Sequence, residues 1–147
     1  MALKNYTTTV PAIQSAAEIE VALVQRGARS VIKEYGDNGK IVSMSFGHDT
    51  MSGYLPFRLP ANVDPVLRTL QEQRRKNSSI KATPEQAERV AWRNLRDWVL
   101  AQLALYDTRM VKFEQIFLSE IVDQSSGKTF FEVVENRQFL LTGGSGQ

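Results

Sequence analysis

The chain's one histidine, His48, stands beside Asp49 between Gly47 and Gly53. A histidine next to an aspartate on a glycine-flanked connection is a candidate acid–base pair or the start of a metal site, since loops on a rigid scaffold often carry chemistry. Adjacent residues in an extended segment point opposite ways, however. With no cysteine and no second histidine, a metal would need carboxylates from elsewhere, such as Asp37 or Asp64. The pair supports only a third reading, a metal-dependent nuclease. Other catalytic templates are missing: the sequence has no Walker loop, no dinucleotide-binding glycine fingerprint, no serine elbow and no helical pair of metal-binding histidines. Gly143-Gly144-Ser145-Gly146 precedes no helix and so is not a phosphate loop. No catalytic residue, metal ligand or cofactor is assigned, and an enzyme is the less favoured class.

The basic side chains are better organised. From Arg68 to Arg96 there are eight basic and three acidic residues, a local net of +5, against +2 for all 147 residues. On a helix turning about 100° per residue, Arg89, Arg93 and Arg96 share a face opposite Ala87, Val90, Ala91, Leu95 and Trp98. Arginines so spaced can meet successive phosphates of a nucleic acid, and Arg68, Arg74, Arg75, Lys76 and Lys81 lie close in sequence. An ordinary solvated helix face has the same pattern, and Glu85 precedes Arg89 at ion-pair spacing. Trp98 belongs to the core. Trp92 lies toward the boundary of the apolar face, where it either stacks on a base or is a partly buried structural residue.

Several elements must position these groups. Ser15 followed by Glu18 reads as a capping box, so a helix is expected from about Ala16 to Arg26, closed by Gly27. The period then changes from 3.6 to 2. A strand around Val31 to Tyr35 and another from Lys40 to Phe46 flank the Asn38-Gly39 turn, with Val42, Met44 and Phe46 on one apolar face. A third strand, Tyr54 to Leu59, contains Pro56 and so belongs at an edge. Asn62 is the expected cap of a helix carrying Val63, Val66, Leu67 and Leu70, and the polar run beyond it reads as a mobile loop near 71–82. Thr83-Pro84-Glu85-Gln86 is the clearest helix start. A break is expected near Asp107-Thr108, with periodicity resuming at Met110, Phe113 and Phe117. From Trp98 to Tyr106 apolar residues surround the helix, so that half needs a cover on two sides. The sheet supplies one, and the C-terminal segment or a second subunit supplies the other. Lys128 to Leu141 is a short helix or a strand, and the residues from 142 read as a flexible tail.

These features make a single domain, with 42% hydrophobic and 23% charged residues, of α+β class. A three-stranded antiparallel meander packs against long helices in the order α-β-β-β-α-α-α. No secretory signal and no bilayer-length apolar run is present, so a soluble cytoplasmic protein without membrane contact is expected.

Three phrases together carry a resemblance: Tyr6-Thr7-Thr8-Thr9-Val10-Pro11, the segment from Leu55 to Asn62, and Gln86-Ala87-Glu88-Arg89-Val90-Ala91-Trp92-Arg93 running into Asp97-Trp98 and Ala101-Gln102-Leu103-Ala104. They resemble a family of small proteins encoded by bacterial phages and other mobile elements. No activity, ligand or catalytic residue comes with that resemblance. It implies a context in which small proteins bind nucleic acid or host proteins. The leading expectation is a non-catalytic protein contacting nucleic acid through Arg68, Arg74, Arg75, Lys76, Lys81, Arg89, Arg93 and Arg96, with Trp92 stacking. The alternative is a protein-interaction module, such as an inhibitor of a host defence nucleoprotein complex, that presents the same basic face to an acidic host protein surface. The apolar ring around Leu100 is compatible with a homodimer.

Overall fold

In the computed structural model, which describes residues 1–140, the first helix starts earlier than the Ser15–Glu18 pattern predicts. Helix α1 spans Ala12–Gln25 behind Pro11, and Ser15 is fully buried within it. The capping box does not form, because both of its side chains have partners on a distant helix. The predicted end is close: Gly27 adopts φ +97° just past α1, a conformation that costs glycine little.

Strands β1 (Arg29–Tyr35), β2 (Ile41–Thr50) and β3 (Gly53–Arg58) form an antiparallel sheet in the order β1-β2-β3, so the expected α+β meander is present. Its register corrects one expectation. The pairing slips by one residue between Glu34 and Tyr35, opposite Ile41 to Ser43. A slip of one exchanges faces. Ile41 turns inward, and Val42, expected in the core beside Met44 and Phe46, is half exposed. Strand β2 is also longer than predicted, and His48 lies inside it, paired with Leu55. Pro56 does sit in an edge strand, and that edge is partly covered: Val122 N–H donates to the Pro56 carbonyl at 2.9 Å.

The inner face of the sheet packs against α1 and α3 (Pro84–Asp107). Ile19 and Leu23 from α1, Met44, Phe46 and Phe57 from the sheet, and Trp92, Val99 and Leu103 from α3 join one core. Helix α2 (Asp64–Lys76) seals a second, smaller cluster in which Leu70 and Ile80 meet Ala87 and Val90. Its cap position is Val63 rather than Asn62, without a side-chain hydrogen bond. Gln71 to Lys76, expected to fray, continue the helix, because Leu70 and Ile80 anchor both sides of the turn.

Helix α3 begins as predicted, with the Thr83 hydroxyl accepting the Gln86 N–H at 3.2 Å, and it ends at Asp107. The periodicity after the break yields only a one-turn helix, α4 (Phe113–Ile116), followed by a 3₁₀ turn at Leu118–Glu120. Asp107 does not cap it; its carboxylate is engaged by Arg26. Helix α5 (Phe130–Asn136) closes the described chain on a capping box of Thr129 and Glu132. The second cover of α3 is internal. Phe117 lies edge-on to Trp98 at 5.7 Å between centroids, and Phe113 does the same to Tyr106 at 5.4 Å. The tail expected from 142 lies outside the described residues. Among them, no helix is long and apolar enough to cross a membrane.

Candidate nucleic-acid interface

The predicted arginine stripe divides into paired and unpaired members. Helices α1 and α3 run side by side in the same direction, which brings Glu18 against the α3 stripe. Arg96 Nε donates to Glu18 Oε1 at 2.9 Å, and Arg93 Nη1 reaches the same oxygen and Ser15 Oγ, each at 3.3 Å. Arg96 also donates to Asp97 at 3.1 Å. Arg93 and Arg96 therefore serve the α1–α3 seam and are corrected from phosphate contacts to structural partners. Trp92 is corrected as well: it is 0% exposed and cannot stack on a base. Its Nε1 is buried with no hydrogen-bond partner among the described residues.

The remaining cations have a different setting. Arg68, Arg75, Lys76 and Lys81 are exposed, and none lies within 4.0 Å of a carboxylate among the described residues. Arg74 donates to the Ile80 carbonyl, fastening the 77–83 connection to the end of α2. Arg89 donates to Gln86 Oε1 at 3.1 Å. By contrast Lys4, Arg26, Arg29, Lys33, Lys40 and Arg58 each have a carboxylate partner. The other unpaired cations, Arg109, Lys112, Lys128 and Arg137, are spread along the C-terminal portion. The basic end of α2 has an internal reason too, since Arg74, Arg75 and Lys76 occupy its last turn, where the carbonyl end of the helix favours positive charge.

His48 is 6% exposed and stacks on Phe113 at 3.7 Å between centroids. Its Nδ1 lies 2.6 Å from the Asp49 carbonyl and its Nε2 lies 2.8 Å from the Arg26 carbonyl. Both ring nitrogens thus face main-chain carbonyls, and a neutral ring donates to one of the two. Asp49 points to the other side of the strand and pairs with Arg29 at 2.8 Å. The two residues do not converge, for the reason given by strand alternation. Beside them, Tyr54 lies across Gly47, where a Cβ would fall 1.8 Å from its hydroxyl, and Arg29 stands over its ring at 5.2 Å.

The ion pairs of the seam set a pH dependence. Burial pushes the Glu18 carboxyl up, but hydrogen bonds from Gln14 and Arg96 and the charge of Arg93 outweigh it and hold the group below its ordinary 4.5. In Asp97 burial is likewise outweighed, here by Asn5, Arg96 and Lys4, and the group sits below its ordinary 3.8. A carboxyl lowered in the folded state favours folding above its unfolded value, and that benefit is lost as pH falls through the folded one. The urea midpoint is therefore expected to fall as the pH drops through and below the ordinary carboxylate range. Glu18→Gln should flatten that fall, and an unchanged slope in the variant would remove Glu18 as a source. Glu88 and Glu120 act in the opposite sense, because burial raises both carboxyls and favours their protonated forms.

Compared with protein-family models, curated proteins and solved structures, the chain matches none of them.

Proposed function

We propose that the protein is a non-catalytic binding protein of a phage or mobile element. It contacts nucleic acid through the basic end formed by α2, the 77–83 connection and Arg89. The observation that carries this reading is the run of exposed cations without carboxylate partners, Arg68, Arg75, Lys76 and Lys81, on a protein whose other helix and strand cations are largely paired. Unpaired surface charge of one sign attracts a polyanion and releases its counterions on binding. The resemblance of the sequence to small phage proteins supports the biological setting. Such contacts read phosphates and not base edges, so binding is nearly independent of sequence and strongly sensitive to salt.

The test is fluorescence anisotropy with single- and double-stranded DNA and RNA over about 50 to 200 mM salt. Arg68→Ala, Arg75→Ala and Lys76→Ala combined should reduce the salt slope by about 2 to 3, from about 0.7 to 0.9 for each lost phosphate contact. Arg93→Ala should leave the slope unchanged, since its guanidinium is held by Glu18. No measurable binding at about 50 mM salt overturns the reading. Recovery of one acidic host protein in its place would favour the protein-interaction alternative.

A further inference from the structure

The N-terminal segment, the 77–83 connection and the start of α3 border a half-open cavity of about 290 Å³ beside the basic surface. Its polar lining includes Thr7, Thr9, Ser79, Lys81, Gln86 and Arg89. Three properties of this lining belong together. First, it contains two cations and no carboxylate. Glu85 and Glu88 line an adjoining recess with Lys40 and the other side of Arg89, and Glu85 is 3.9 Å from the Lys40 ammonium.

Second, the wall is built to stay in place. Gln86 is 4% exposed, and its amide is fully used: Nε2 donates to the carbonyls of Tyr6 and Thr8 at 2.9 and 3.0 Å, while Oε1 accepts from Arg89 Nη1. This buried amide ties the N-terminal segment to α3 and restrains the Arg89 guanidinium before any ligand arrives. A guanidinium has five N–H donors and only one is used here, so a forked donor remains for an anion. Restraint of that kind reduces the ordering cost of binding. Third, Gln86 belongs to the first turn of a helix of 24 residues, so the positive end of α3 adjoins the cavity.

Arginine, lysine and several hydroxyls without an acid form a donor set for a tetrahedral oxyanion. The recess is small and opens to solvent on the side of Thr7, Thr9, Ser79 and Lys81, which suits a group at the end of a chain. An internal phosphodiester would need room for two ester arms and carries one charge, whereas a terminal phosphate approaches two. We propose that this cavity binds the terminal phosphomonoester of a nucleic-acid strand. Lys81 and Arg89 neutralise its charge, and the hydroxyls of Thr7 and Thr9 donate to its oxygens, while that of Ser79 is held by Asn77 Oδ1 at 2.6 Å. The proposal rests on the basic surface described above: the strand runs over Arg75 and Lys76, and its end is seated here.

The test compares one oligonucleotide in three forms: 5′-phosphorylated, 3′-phosphorylated and hydroxyl-ended at both termini. One phosphorylated form is expected to bind about tenfold to a hundredfold tighter than the hydroxyl-ended form, the range that charge-assisted hydrogen bonds supply. Which form shows the gain identifies the strand end. Lys81→Ala should erase the preference without lowering the melting temperature, since Lys81 is exposed and has no partner to lose. Arg89→Lys, which keeps the charge and loses the fork, should weaken the preference. Equal binding of all three forms overturns the terminal-phosphate site and leaves the basic surface standing. If none of the forms binds, both readings fall.

Discussion

Trp92→Ala is expected to destabilise the protein by about 3 to 5 kcal/mol, the range for removing a fully buried aromatic side chain. For a chain of this length the melting temperature should drop on the order of 10 °C. The indole is among the largest fully buried side chains and belongs to the cluster joining α1, the sheet and α3. Its N–H makes the comparison with phenylalanine informative. Burying an unpartnered donor costs about 1 to 3 kcal/mol, so Trp92→Phe loses volume but also removes that cost. The phenylalanine variant should therefore retain most of the stability that alanine forfeits. It should also bind nucleic acid like the parent. A well-folded Trp92→Phe protein with lost affinity would show that the side chain does touch a ligand.

Phe113→Ala should cost a similar amount, about 3 to 5 kcal/mol. Phe113 lies in a one-turn helix whose own backbone contributes little stability. Its ring nevertheless stacks on His48 and stands edge-on to Phe46, Phe57 and Tyr106, at 6.1, 5.6 and 5.4 Å between centroids. Removing it opens the sheet's inner face and unseats the segment that covers the second half of α3. Chemical denaturation of the variant checks this, and a loss below about 1 kcal/mol would mean that the segment after α3 contributes little to the core.

The sequence displays those parts of the fold that depend on near neighbours. Thr83-Pro84-Glu85-Gln86 starts a helix because cap, first-turn proline and third residue act within one turn. The hairpin around Asn38-Gly39 and the edge position of Pro56 follow equally from local backbone chemistry. Ser15 and Glu18 show the limit of this reasoning. Their spacing matches a cap, yet Ser15 Oγ and Glu18 Oε1 meet Arg93, 78 and 75 residues away. A pairing of that separation leaves no trace in either local pattern, and it removed a predicted cap and a predicted phosphate contact together.

The basic site was legible as charge density but not as geometry. Arg68, Arg75, Lys76 and Lys81 are exposed as expected, whereas a helix wheel cannot show that α3 is covered on two flanks, by α1 with the sheet and by α2. The cover from α1 and the sheet is why Trp92, placed near a boundary by periodicity, lies in the interior. Gln86 carried no signal beyond its role in the cap motif. Its second task, holding Tyr6 and Thr8, depends on an N-terminal segment with no periodicity to read.

The isolation of His48 has a spectroscopic consequence. The chain has one imidazole, and it lies nearly parallel to the Phe113 ring at 3.7 Å while joining the end of α1 to β2. Its two carbon-bound protons should therefore appear as single resonances displaced upfield by the ring current of the phenyl group. Any loosening of the C-terminal wrap would return them toward their random-coil frequencies, which gives a label-free reporter of that motion in the native protein.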